Sequence, residues 1–181
     1  VTIRIRLYRP SDLFGRLICW RLESQWSHAT IEFDGTIYSA TFPHILMCGP
    51  NDAAFGMPPR EGRAIEIRMS DDERARALAY CQSMLGTSYD VLAIAGWALR
   101  IEAMQRPHHA YCFEYVADAL AAAGVFPDSR RLITGDQLLV DLYASGRVLN
   151  PDIGQFDQLG ARIAATRQPA PVTVPAPLVR P

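Results

Sequence analysis

The chain has 181 residues, a length that fits one domain. Hydrophobic residues make up 49% and charged residues 20%, an ordinary globular mix that excludes a largely disordered or collagen-like chain. The charge sum of 18 basic against 19 acidic residues is −1, without the basic excess of a nucleic-acid binder, and every basic residue is Arg, which excludes a Schiff-base lysine, a P-loop lysine and a Ser–Lys pair.

The first element is a half-buried strand over residues 2–8, where Ile3, Ile5 and Leu7 alternate with polar neighbours. Pro10-Ser11-Asp12 then marks a helix start with Ser11 as N-cap, and Leu13, Leu17, Ile18 and Leu22 follow at helical spacing. Residues 28–33 and 36–41 flank Asp34-Gly35. A two-residue turn between alternating segments needs positive φ at both turn positions, so this dipeptide predicts a β-hairpin. Residues 42–63 are rich in Pro and Gly and read as a long loop, followed by a short strand at 64–68.

Ser70-Asp-Asp-Glu73 is a capping box opening a helix from about 71 to 85, and Gly86 stops it. An apolar helix is expected from about Tyr89 to Ile101, and Arg106-Pro-His-His109 breaks the chain after it. Residues 112–123 form an amphipathic helix, with Val116, Ala119, Leu120 and Ala123 on one face and Gly124 at its end. Thr134-Gly-Asp-Gln137 is a second capping box, opening a helix to about Ser145, and Arg147–Leu149 reads as a strand. Residues 168–181 contain five Pro in fourteen and are expected to be an extended or disordered tail behind a domain spanning 1–167. The order of elements indicates an α+β fold with an antiparallel sheet.

No apolar run reaches the roughly 18 residues that span a bilayer. The N-terminus lacks the charged, apolar, then small pattern of a signal peptide, so the expected setting is cytoplasmic, or delivery by a phage or a specialised secretion route. Cys19, Cys48, Cys81 and Cys112 are spaced 29, 33 and 31 apart without a C-x-x-C pair, and four reduced thiols are expected.

Cys112 is the thiol with chemical prospects. It begins a helix, where free N–H groups and the helix dipole favour a thiolate and can form an oxyanion hole. That position predicts a pKa below the free value of about 8.5. A nucleophilic thiol needs a base, and His28 opens the first hairpin strand on the face shared with Thr30 and Glu32. With a two-residue turn, Phe33 pairs with Thr36, Thr30 with Ser39 and His28 with Thr41, so Ser39 is the diagonal neighbour of His28 on one face. That supplies a base and a polar group to fix its tautomer. His108 and His109 lie four and three residues before Cys112, but zinc needs three or four ligands and no second Cys/His pair is suitably spaced. The pair is expected on the loop at the cleft rim, with no metal or cofactor.

Trp26-Ser-His28-Ala-Thr-Ile-Glu, Ile37-Tyr-Ser-Ala-Thr41, Gly86-Thr-Ser-Tyr-Asp90 and Tyr111-Cys-Phe-Glu-Tyr-Val116 together resemble the circularly permuted NlpC-like papain-fold superfamily. That group includes YiiX-type enzymes and lecithin retinol acyltransferase relatives. The resemblance covers about residues 2–150. It implies a permuted papain-like fold: an antiparallel sheet or half-barrel against a helix that carries the nucleophile, with His28 ahead of Cys112 in the chain. Cys112 would be the nucleophile and His28 the base. The family's third polar position, often Glu or His, falls on Ser39, with Thr41 and Glu32 as the fallbacks. The family Ser after Cys is Phe113 here, while Glu114 matches. Trp26, Tyr111 and Thr41, with Trp20 and the loop 42–63, are the expected substrate contacts. The implied activity is a cysteine hydrolase acting on an amide in peptidoglycan-type peptides. A lipid esterase or acyltransferase, and a non-catalytic module binding a peptide or muropeptide, are the alternatives.

Overall fold

The computed structural model describes residues 1–49, 62–90, 109–126 and 133–149. Five strands form one antiparallel sheet: β1 (Thr2–Tyr8), β2 (His28–Phe33), β3 (Thr36–Ala40), β4 (Ile45–Cys48) and β5 (Gly62–Arg68), in the order β4-β3-β2-β1-β5. Among the described residues the helices are α1 (Leu13–Leu22), α2 (Asp71–Ser83), α3 (Cys112–Ala122) and α4 (Gly135–Ala144). The fold is α+β. Val1–Asn150 forms one compact unit. The expected helix beyond Asp90, His108, and the expected 167/168 boundary with its tail lie outside the described residues.

The period of two along β1 sorts the sheet into two faces. Ile3, Ile5 and Leu7 pair with Ile67, Ile65 and Arg63 on β5, and Ile5 and Leu7 with Ile31 and Ala29 on β2. All of these except Arg63 are buried, as are Phe33, Tyr38 and Ala40 on the same face. Each buried Ile, Leu or Phe contributes roughly 1.5–3 kcal/mol, which makes this face the main source of cohesion. Helices cover it: α3 packs on β2, β3 and α2, and the Arg74 guanidinium of α2 lies 5.9 Å from the Phe33 ring centroid.

The opposite face carries Arg4, Arg6 and Tyr8 beside Glu32, Thr30 and His28. Glu32 accepts from Arg4 Nη1 at 3.1 Å and from Arg6 Nε at 2.6 Å, and Arg4 Nη2 reaches Glu66 at 2.9 Å. A buried carboxylate is tolerable because two guanidinium groups offset its desolvation. Glu32 is therefore committed to arginines, which removes it as the fallback orienter of His28.

The hairpin forms as expected, with Phe33 opposite Thr36 and positive φ at Asp34 (48°) and Gly35 (82°). Several expectations need correction. Asp12, not Ser11, caps α1: its side chain accepts from the Gly15 N–H at 2.6 Å. Residues 42–63 are not all loop, because Ile45–Cys48 pairs with β3 as the edge strand β4. The Ser70–Glu73 box is reciprocal, but at α4 only Thr134 caps, accepting from the Gln137 N–H at 3.1 Å. Gln137 donates instead to Asp141 at 3.0 Å. Arg147–Leu149 makes a single bridge, Val148 to Ile67, rather than a strand.

Candidate active site

Cys112 is the first residue of α3, and Tyr111 caps the helix in extended conformation without a side-chain cap bond. The N–H groups at this end are left to other acceptors. The Cys112 thiol lies beside the main-chain N–H groups of Cys112, Phe113 and Ala29 of β2 and the Tyr89 hydroxyl, each of which favours its charged form. The Ala29 contact follows from the hairpin register. A two-residue turn makes Phe33 and Thr36 a hydrogen-bonded pair, so alternate residues Phe33, Ile31 and Ala29 direct their N–H groups toward β3. The ladder ends at Ile31↔Tyr38, and the next N–H in that series, that of Ala29, serves the sulfur.

Tyr89 is held by its main chain. Its N–H donates to Pro43 C=O at 3.0 Å, and residues 89 and 110 form a parallel bridge beside the α3 entrance. His109 Nδ1 donates to Ser88 C=O at 3.0 Å in the same seam. Burial holds the Tyr89 hydroxyl well above its ordinary range, so it stays protonated and donates. The sequence signal for Tyr89 was the Gly86-Thr-Ser-Tyr turn. It reads as a helix start, which concealed the contact with Cys112.

On the polar face, His28 Nε2 lies 3.0 Å from Ser39 Oγ, and both residues are buried. The Tyr8 ring lies beside the imidazole at 5.7 Å between centroids, and the Tyr8 hydroxyl is 3.3 Å from Thr30 Oγ1. The expected diagonal contact between His28 and Ser39 is thus present. The expected pairs Thr30 with Ser39 and His28 with Thr41 fall beyond the ladder's end. The thiol approaches β2 from the helix-covered face and the imidazole belongs to the other face. Both reach the first two residues of the strand.

The thiol's protonation differs from expectation. Burial pushes the Cys112 pKa up to about 11 despite its four donors. Desolvation disfavours the thiolate more than the helix N-terminus favours it, and Cys112 is only 3% exposed. At neutral pH it is a neutral thiol in a socket of donors. Cys81, also buried, is pushed up to about 12. All four cysteines are free thiols.

A small pocket of about 30 Å³ adjoins Cys112, lined by Ile18, Leu22, Ser27, Tyr89, Tyr111 and Phe113. Of the expected substrate contacts, Tyr111 lines this pocket, but its hydroxyl is committed to Ile133 C=O at 2.8 Å. Trp26 is a correction: it is 1% exposed, and a Cβ added at Gly135 would stand 2.6 Å from Trp26 Cβ. It is core packing at the start of α4. Thr41 follows β3, half-buried. Trp20 lies on the exposed side of α1. No group of three His, Cys, Asp or Glu among the described residues is arranged to hold a metal. No protein-family model matches the chain, and no curated protein matches it.

Proposed function

We propose that this chain is a cysteine hydrolase with a permuted papain-like arrangement, acting through an acyl-enzyme on Cys112. The observation that carries the proposal is the main-chain contact of Ala29 with the Cys112 sulfur, one residue along β2 from the His28–Ser39 pair. Cys112 and the His28–Ser39 pair thereby meet adjacent residues, Ala29 and His28, of one strand end. Such a set suits nucleophilic catalysis.

In this mechanism Ser39 accepts from His28 Nε2–H, leaving Nδ1 as the base. The thiol is neutral at rest, so its proton passes to Nδ1 as sulfur attacks the substrate carbonyl. The resulting oxyanion takes main-chain N–H groups at the α3 end and the Tyr89 hydroxyl, donors that serve the sulfur in the resting site. The imidazolium then protonates the leaving amine or alcohol and a thioester remains. Water adds with His28 again as base, and the acid is released as the thiol is regenerated. Amides of peptidoglycan-type peptides are the leading substrate class. Acyl lipids are the second, favoured by the apolar character of Ile18, Leu22 and Phe113 around the pocket.

The test is turnover of muropeptides, peptide amides and acyl lipids by the wild type and Cys112→Ala. Release of product by the wild type alone supports the proposal. Equal release by both, or no release from any class, counts against it and favours a binding module.

A further inference from the structure

The pocket beside Cys112 is small, and two of its walls are tied in place. Its volume is about 30 Å³. A cavity needs about 10–15 Å³ to hold one water-sized group, so this one takes roughly two. Ile18 and Leu22 share one face of α1 at i, i+4 spacing and form one wall. That wall is anchored at both ends of its helix. Asp12 accepts from the Gly15 N–H at 2.6 Å, the Ser24 N–H donates to Cys19 C=O at 3.0 Å, and the Ser27 N–H donates to Tyr8 C=O at 2.9 Å. Phe113 forms a second wall. It is 2% exposed, and its ring lies so near Gly135 that a Cβ there would stand 2.9 Å from Phe113 Cε1. The hydroxyls of the lining are engaged. That of Tyr111 donates to Ile133 C=O at 2.8 Å, that of Ser27 to Tyr8 C=O at 3.4 Å, and that of Tyr89 lies beside the Cys112 thiol. What stands open next to the sulfur is a short apolar space.

We propose that this pocket is an acyl subsite: it receives a short aliphatic group, one or two carbons attached to the reacting carbonyl, and Ile18, Leu22 and Phe113 set that limit. The subsite rests on the hydrolase reading, whose substrate class it narrows. With the carbonyl carbon at the sulfur and its oxygen on the N–H groups beside the thiol, the remaining substituent of the acyl group meets the pocket. A methyl or ethyl gains apolar contact there and leaves no polar atom of its own unpaired. A third carbon has to displace Ile18, Leu22 or the Phe113 ring, and overfilling a space with anchored walls is costly. Size thus weighs against the acyl lipids that an apolar lining alone would admit. It favours amides with a small side chain on the acyl side.

The test is single-turnover acylation of the full chain by p-nitrophenyl esters of acetate, propionate, butyrate, hexanoate and octanoate, read by intact mass and peptide mapping. In each reaction the sulfur–acyl bond forms, the bond to nitrophenolate breaks, and the thiol proton passes to His28. Each rate is divided by that of the same ester with glutathione, which removes intrinsic reactivity. Rates at Cys112 should be highest for acetyl or propionyl and fall about tenfold or more at butyryl, with hexanoyl and octanoyl lower still. Leu22→Ala and Ile18→Ala should each raise the hexanoyl-to-acetyl ratio about tenfold. A ratio is read because it does not depend on the amount of folded enzyme. Acylation of Cys112 by octanoyl as fast as by acetyl would overturn the short-acyl limit and leave the hydrolase reading standing, with acyl lipids as its class. A preference for short esters that neither substitution relaxes would overturn the role of α1 in setting it. Acylation of Cys19 alone, with none at Cys112 from any ester, would overturn the hydrolase reading and the subsite with it.

Discussion

His28 Nε2 and Ser39 Oγ lie 3.0 Å apart between β2 and β3, although the hydrogen-bonded ladder of those strands has already ended at Ile31↔Tyr38. A side-chain contact thus continues the association of the two strands where the main chains no longer pair. It also engages one imidazole nitrogen, Nε2.

Replacing Ser39 by Ala removes that bond in a buried site. A stability loss of about 1–2 kcal/mol is expected. On any hydrolysable substrate kcat should fall about tenfold, against about 10³-fold for His28→Ala. Nitrogen-15 NMR of the imidazole checks the cause: Ser39→Ala should change the tautomer ratio. An unchanged ratio would remove Ser39 from the site.

The elevated pKa of Cys112 reverses the usual labelling order for a helix-N-terminal thiol. Burial disfavours the charged form, so the thiolate fraction grows only as pH rises toward about 11. Iodoacetamide near pH 7 should modify the half-buried Cys19 before Cys112, and the Cys112 rate should still be climbing at pH 9–10. Peptide mapping by mass spectrometry reads both. Early, pH-independent modification of Cys112 would show a preformed thiolate.

Glu73 joins two distant parts of the chain. Its carboxylate accepts from Arg147 Nη1 and Nη2, each at 2.8 Å, and from the Ser70 N–H at 2.8 Å. The Arg147 bonds, then the Ser70 N–H, hold its pKa at about 2 against an ordinary 4.5. The folded-state value is the lower one, so the contribution is present above about 4.5 and lost as pH falls through about 2. Glu73→Gln should therefore lower Tm at neutral pH, and the gap from wild type should close between pH 4.5 and 2. A gap of constant size across that range would assign the effect to capping alone.

Gly135 opens α4 against the core. A Cβ there would stand 2.6 Å from Trp26 Cβ and 2.9 Å from Phe113 Cε1. Gly135→Ala should cost about 1–3 kcal/mol by overpacking, although Ala is the better helix former. Thermal unfolding checks the sign, and an increase in Tm would contradict the packing. Phe113 follows Cys112, so the strain falls next to the thiol.

Local patterns carried much of the fold. Asp34-Gly35, the alternation of β1 and the Ser70–Glu73 box all specify geometry within a few residues, and each forms where expected. The Ser39 contact was legible because hairpin register follows from turn length. What local pattern could not show depends on distant partners. Ile45–Cys48 becomes a strand because β3 offers an edge. The apolar residues of α1 fall on two faces, and spacing alone cannot tell which face meets the core. The position of Cys112 at a helix N-terminus was legible, whereas its burial beneath Ile18 and Leu22 reflects tertiary packing and decides its pKa.

The central claim is that Cys112 takes an acyl group with His28 as its base. The most direct measurement is intact-protein mass spectrometry during single-turnover reaction with an activated acyl ester, followed by peptide mapping. The account predicts one acyl group on Cys112 in the wild type, forming about 10³-fold more slowly in His28→Ala and not at all at that position in Cys112→Ala. Acylation of Cys112 at the same rate in wild type and His28→Ala, or acylation confined to Cys19, would contradict it.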